Sequence, residues 1–303
     1  MRRREFIGLV GGAAIWPAMA LAQQSGRIPV VGILWHGSAE KEWANPFYFW
    51  LHDDLASLGY VSDKSVKFEE RYASEKQELY EKLATDLVGL EPDLLIAPTP
   101  AAALALKKAT SRIPIVFLGA PDPVGSGLVA SVARPGGNIT GMASATPEMY
   151  FKRVAILKEI VPHLSRLALL ADLDAPTQVA FEIGYYTAAA KANGVHLEVF
   201  GARDKSTIVE AFQKVVQAGS EAVAIAGQGI FYLLRDELSE AALLHKLPTM
   251  APVGPFVSSG ILISYGQIPR ERFHETAVYA VRVLRGEEPR ACLQLSKMIA
   301  EAS

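Results

Sequence analysis

Six short segments carry residue types suited to holding a small molecule without breaking its bonds. They are Trp35-His36-Gly37, Thr99-Pro100-Ala101, Gly119-Ala120-Pro121-Asp122, Asp172, Gly227-Gln228-Gly229 and Tyr265-Gly266, and each follows directly on a run of apolar residues. Trp35 and Tyr265 offer flat faces for stacking on a ring, and Gly37 lets backbone come close to a ligand. Thr99 has the chemistry of a helix N-cap with Pro100 at the first helical position. N–H groups near Thr99 and Ala101 would then meet an anionic group such as a carboxylate, the alternative being a plain cap. Asp122 and Asp172 are candidates to meet a ligand amine, with capping of a short helix as the competing expectation for Asp122. His36, Gly119 and Gly227 join the ligand-binding set by position.

Covalent chemistry finds no matching pattern. Gly125-Ser126-Gly127 is the nearest approach to a nucleophile elbow, and no strand abuts it. The segment Arg134-Pro135-Gly136-Gly137-Asn138 signals a turn and lacks the Lys and Ser/Thr of a phosphate loop. The six histidines are scattered and the one cysteine, Cys292, stands alone, so no metal spacing and no intramolecular disulfide is expected. The expectation is a binding protein with no catalytic residues, no metal and no cofactor.

The elements that must position these loops are legible as a repeating pattern. Apolar runs at 28–34, 66–71, 93–97 and 113–118 alternate with helical spacing at 45–58, 77–89 and 100–110. A Pro- and Gly-rich loop is expected over 119–141. The pattern then restarts, with helices at 149–161, 177–193, 207–218, 231–245 and 270–285 and strands at 167–171, 195–200, 222–226, 248–251 and 260–264. Short non-alternating strands between helices predict parallel sheets covered on both faces, hence an α/β fold of two doubly wound lobes. Ligands of such sheets sit beyond the carboxyl ends of the strands, where the six segments stand. The expected organisation is an export signal at 1–22, a first lobe from 23–141 plus 266–303, and a second from 142–265. Of the aromatic run Phe47-Tyr48-Phe49-Trp50, two side chains are expected to pack inward and two to cover a rim; the alternative sets one in a ligand cleft.

Residues 1–22 combine Arg2-Arg3-Arg4, an apolar stretch broken by Gly11, Gly12 and Pro17, and an Ala20-Leu21-Ala22 ending. That is the layout of a cleaved signal peptide, cut before Gln23, with an uncut membrane anchor as the alternative. Arg3-Arg4 followed by Phe6 resembles a twin-arginine signal, although Arg2 stands where Ser or Thr is usual; Tat and Sec export both stay open. Gln23 in place of Cys argues against a lipid anchor. Of the chain's 30 basic and 32 acidic residues, 27 and 31 lie beyond that segment, a charge of −4. Such a balance gives no reason to expect nucleic acid or an anionic membrane as partner.

The stretch 93–141, DLLIAPTPAAALALKKATSRIPIVFLGAPDPVGSGLVASVARPGGNITG, resembles the substrate-binding proteins of bacterial ABC importers. Within them it is similar to the group of tryptophan- and aromatic-compound-binding proteins. LASLGYV at 55–61, KRVAILKEIVP at 152–162 and GILISYG at 260–266 extend the likeness over roughly 28–290. The resemblance implies a type I periplasmic-binding-protein fold, with a ligand trapped when two lobes close. It also implies a monomer delivering an amino acid or aromatic carboxylate to a membrane permease. After Gly286-Glu287-Glu288-Pro289 the tail departs from the family pattern, which has an extended crossing followed by a further strand and helix, so an altered hinge is expected there. An extracytoplasmic sensor for a membrane receptor, and a periplasmic enzyme, are the alternative functions.

Overall fold

Runs of aliphatic residues become the strands of two sheets. The computed structural model describes residues 27–43, 46–74, 76–131, 134–174, 176–267, 269–289, 293–295 and 298–302. The expected signal peptide, its cleavage point and Cys292 lie outside these residues. The first sheet is built from β1 (Val30–Trp35), β2 (Lys67–Tyr72), β3 (Leu94–Ala97), β4 (Ile115–Pro121) and β5 (Ile139–Ala145). The second is built from β6 (Arg166–Ala171), β7 (His196–Gly201), β8 (Ala222–Ile225), β9 (Thr249–Ala251) and β10 (Ile263–Gln267). Two tail strands complete them: β11 (Leu293–Leu295) beside β5, and β12 (Met298–Ala302) beside β10. The orders are β11-β5-β4-β3-β1-β2 and β12-β10-β9-β8-β6-β7. Every pair is parallel except β10–β12. The chain thus runs one doubly wound plan twice, as expected from the alternation of apolar runs and helices.

Strand alternation divides the first lobe into two cores. Val31, Ile33 and Trp35 point to the face covered by α2 (Pro46–Ser57) and α11 (Pro269–Leu284), against Leu51, Leu55 and Ala277. Leu34, Leu95 and Phe117 point to the face covered by α3 (Tyr80–Gly89) and α4 (Pro100–Ala109), against Leu87 and Leu106. In the second lobe α5 (Pro147–Ile160) packs with α6 (Pro176–Ala192), and α7 (Lys205–Gln217) with α9 (Arg235–His245). Their buried stripes form one continuous core with β6 to β9.

Several expectations need correction. The segment 119–141 is not loop throughout: β4 runs on to Pro121 and β5 begins at Ile139. β5 reads ITGMASA. It offers no apolar run to recognise and exists because β4 and β11 pair with it on both sides. The helix expected at 231–245 is two, α8 (Gly229–Leu233) and α9, meeting at Leu234. The short helices α1 (Ala39–Trp43) and α10 (Pro255–Ser258) were not anticipated. The lobe boundary at 141/142 falls inside β5 and that at 265/266 inside β10. The segment 266–303 does not stay with one lobe, because α11 and β11 pack on the first sheet while β12 joins the second. The tail that departs from the family pattern therefore still crosses between the lobes.

A charged cavity at the switch points of both sheets

In each sheet the strand order reverses between two neighbours, β1/β3 in the first and β6/β8 in the second. Connections leave these neighbours in opposite directions and open a crevice at their carboxyl ends. Trp35, His36 and Gly37 leave β1, and Pro98 and Thr99 leave β3; Asp172 leaves β6, and Gly227 and Gln228 leave β8. All of them line one cavity of about 640 Å³, a size typical of small-molecule sites.

Of the expected site residues, Trp35, His36, Gly37, Thr99, Gly119, Asp172 and Gly227 line this cavity. Trp35 does so as floor: it is 1% exposed, its indole N–H donates to Glu70 Oε1 at 2.8 Å, and its ring lies 5.3 Å from that of Tyr48. His36 Nδ1 stands 2.7 Å from the Tyr80 hydroxyl. Gly37 N–H donates to the buried Glu42 carboxylate at 2.7 Å, and a Cβ at Gly37 would come within 2.9 Å of that oxygen. Close approach, rather than backbone freedom, is the reason for glycine there. Thr99 caps α4, its Oγ1 accepting the Ala102 N–H at 3.3 Å, with Pro100 at the first helical position.

The other three expected residues stand elsewhere. Ala101 is 5% exposed and packs in the first-lobe core. Asp122 closes its own turn by accepting the Gly125 N–H at 2.8 Å, and its other oxygen accepts the hydroxyl of Tyr185 on α6. That bond ties the two lobes together outside the cavity. Tyr265 packs against the second-lobe core, and its carbonyl accepts Arg153 Nε at 2.8 Å.

The residues that sequence reasoning missed are chiefly charges on helix faces. Arg153 on α5 is buried and donates to the carbonyls of Tyr265 and Pro252 and to the Tyr186 hydroxyl, the last at 3.4 Å. Glu182 on α6 accepts the Gly227 N–H at 2.9 Å. Burial pushes the Glu182 carboxyl above the ordinary glutamate value, against the opposing pull of Gly227 and Arg153. Arg272 and Phe273 on α11 and Gln267 at the end of β10 also line the cavity. A signal existed for two of them. Arg153 falls in the stripe Tyr150, Val154, Leu157, and Glu182 in the stripe Val179, Tyr186, Ala189; a charge on a buried helical stripe asks for a partner. Asp172 is held by a two-way clamp, its N–H donating to Gln228 Oε1 at 2.6 Å while Gln228 Nε2 donates to its carbonyl at 2.9 Å.

Aromatic rings form the walls. Phe47, first of the aromatic run, lines the cavity, as the alternative reading of that run had it. It meets Phe273 at 5.1 Å in its own lobe and Tyr232, on α8 of the second lobe, at 4.7 Å. Trp50 packs on Phe47 and Phe273, Tyr48 against Trp35, and Phe49 is exposed. The wall helices α2 and α11 are fixed to each other through buried Asp54. It accepts both Nη atoms of Arg270, one at 2.8 Å, and lies 3.2 Å from His274 Nδ1. The arrangement holds rings and charges of both signs around one space. Among the described residues no group of three His, Cys, Asp or Glu side chains is placed to hold a metal ion.

The family model for ABC transporter substrate binding proteins matches residues 46–298. The chain is similar to a tyrosine-binding protein of Clostridioides difficile, 24% identical over 236 residues, which are 77% of this chain and 66%, just under two thirds, of that relative. Its fold is similar to that of a conserved domain protein from Vibrio cholerae, with a TM-score of 0.76 at 24% identity over 91% of this chain and 92% of that one. It is also similar to an ABC domain from Streptococcus pneumonia in complex with L-Trp, with a TM-score of 0.73 at 22% identity over 90% and 91%. A family model covering most of the chain, with the fold shared along nearly its whole length, decides the assignment. The chain belongs to the ABC transporter substrate binding protein family.

Proposed function

We propose that this protein captures a small amino acid or aromatic carboxylate between its lobes outside the cytoplasm and delivers it to the permease of an ABC importer. The observation that carries the reading is the cavity at both switch points. It is walled by Phe47, Tyr150, Tyr232, Phe256 and Phe273 and carries Arg153 and Arg272 together with Asp172 and Glu182. Rings accept an aromatic or aliphatic side chain, and the two signs of charge suit a zwitterion. The similarity to a tyrosine-binding protein and to a domain holding L-Trp supports the same ligand class. The site residues proposed are those of the sequence-derived set that line the cavity, with Arg153, Glu182, Arg272 and Tyr232 added.

Binding without turnover follows from closure. A ligand touching both lobes contacts its full site only when they meet, so its differential affinity shifts the population to the closed form. The permease then reads that form. Export is proposed from the N-terminal segment alone, and N-terminal sequencing of protein recovered from the periplasm checks it: the chain should begin at Gln23.

The decisive experiment is a thermal-shift screen of residues 23–303 against tyrosine, tryptophan, phenylalanine, branched-chain amino acids, aromatic carboxylates and sugars. A ligand at about 100 times its Kd adds roughly 2.7 kcal/mol of stability, a rise of several degrees. A response to sugars with none to amino acids or aromatic carboxylates overturns the reading.

A further inference from the structure

We propose that Arg272 is the carboxylate anchor of this site, making the cavity selective for ligands with a free carboxylate over their amides and over neutral sugars. The inference rests on the proposed function and adds the group that decides ligand class.

The argument begins with the company each cavity arginine keeps. Arg153 already donates to two carbonyls and, at 3.4 Å, to a tyrosine hydroxyl, and it lies in the field of Glu182. Arg203 is paired with Asp174 at 2.7 Å. Arg272 has neither kind of partner. Its Nε is buried without a hydrogen bond, and its one polar contact is Nη1 to Gln267 Oε1 at 3.5 Å, the limit of a useful bond. Among the described residues no carboxylate lies within ion-pair distance of it. Its guanidinium lies 5.8 Å from the Phe273 ring, and burial draws its pKa down to about 10.

Position gives the unpaired charge its use. Gln267 donates Nε2 to the Ala143 carbonyl at 2.5 Å, joining the end of β10 to β5. That bond turns Oε1 toward Arg272 and puts the guanidinium near the ends of β5 and β10, one from each sheet. A half-buried guanidinium whose Nε is shut off from water and which has no anion is poorly compensated, and the planar fork fits a carboxylate with two parallel bonds. A ligand carboxylate supplies the missing charge, whereas an amide or a sugar hydroxyl does not. Asp172 and Glu182, both from the second lobe, remain as acceptors for an amino group. The carboxylate is thereby assigned to Arg272, which carries a full charge, ahead of the start of α4, where Thr99 takes the Ala102 N–H.

The test uses titration calorimetry with tyrosine, tryptophan, phenylalanine, leucine and 3-phenylpropionate, the amide of each, and glucose. These are measured on the wild type, Arg272→Gln and Arg272→Lys. Bonds between charged groups predict a wild-type preference for acid over amide of roughly 10- to 150-fold. Arg272→Gln should bring that ratio close to one, with Arg272→Lys between. The unliganded Arg272→Gln protein should melt no lower than the wild type, because an uncompensated buried charge has been removed. An acid-to-amide ratio unchanged in Arg272→Gln overturns the proposal while leaving the amino-acid reading standing. So does a lower melting temperature with equal loss of acid and amide binding, since that marks a structural arginine. Tight Arg272-dependent binding of 3-phenylpropionate, with no amino acid bound, supports the anchor and overturns the amino-acid reading. Glucose binding alone, or no binding by any member of the set, overturns both.

Discussion

Replacing Glu70 by alanine should loosen the cavity floor from behind. Glu70 lies on β2, the edge strand of the first sheet, with a side chain 17% exposed. Its Oε1 accepts Trp35 Nε1 at 2.8 Å and lies 3.1 Å from His52 Nε2; its Oε2 accepts the hydroxyls of Tyr72 at 2.9 Å and Tyr48 at 3.1 Å. Burial opposes ionisation of Glu70, but the bonds from His52, Trp35 and Tyr72 outweigh it and hold the carboxyl below the ordinary glutamate value. Burial and the Glu70 charge in turn push the Tyr48 phenol up to about 12. In Glu70→Ala the Trp35 N–H is left buried at a cost of about 1–3 kcal/mol, and the three half-buried partners lose about 0.5–1.5 kcal/mol each. Allowing for water reaching the rim, the total is about 3–5 kcal/mol, a fall in Tm of roughly 6–15 °C. Glu70→Gln keeps one acceptor and lets the tyrosine hydroxyls turn to accept, so it should cost about 1 kcal/mol. Urea unfolding followed by tryptophan fluorescence measures both, with the slope checking that the unfolded state is unchanged. The pH dependence has a fixed sign. With its folded pKa below the unfolded one, Glu70 contributes fully above the ordinary glutamate pKa and loses that contribution as pH falls through the folded value. The stability gap between wild type and Glu70→Gln should therefore close as pH is lowered from 6 toward 3. A Glu70→Ala protein within about 1 kcal/mol of wild type would refute the reasoning.

Other consequences are equally open to measurement. A Cβ at Gly266 would lie 1.8 Å from the Pro252 carbonyl oxygen and 3.2 Å from Arg153 Nη2. Gly266→Ala should therefore cost about 2 kcal/mol or more and lower the melting temperature measurably. Phe47 and Tyr232 meet across the lobes, so a double-mutant cycle with alanine should give about 0.5–1.5 kcal/mol of coupling in ligand affinity, and X-ray scattering should show a larger radius of gyration for the variants. Additive losses would show that the rings do not act together. Burial and Asp122 push the Tyr185 phenol up to about 12, where Tyr48 also stands, so an absorbance titration should find the signal there smaller by one tyrosine in Tyr185→Phe. Loss of its bond to a carboxylate should weaken closure, and with it ligand affinity, by roughly 10-fold or more.

Local patterning announced most of the fold. IPVVGIL, DLLIA and AVAIA are short, apolar and flanked by helical spacing, and each became a strand buried on both faces. The cap at Thr99 and the turn at Asp122 were also readable, because such bonds close within three residues. β5 escaped notice because ITGMASA is small and polar, and one of the two strands that hold it, β11, comes from the far end of the chain. The tail strands escaped for the same reason.

By itself the sequence determined the α/β class, the two successive βα series and the loops facing the crevice, since strand and helix periods and the switch-point rule act over short stretches. It also carried the family likeness later matched over 46–298. Tertiary structure decided which side chains reach the cavity. Trp35 became floor because Glu70, 35 residues away, holds its N–H. Tyr265 turned to the second core, while Arg153, Glu182 and Arg272 came in from helices 5, 6 and 11. No local rule fixes such positions, because the partners that hold or leave each charge are brought together only when the two lobes pack.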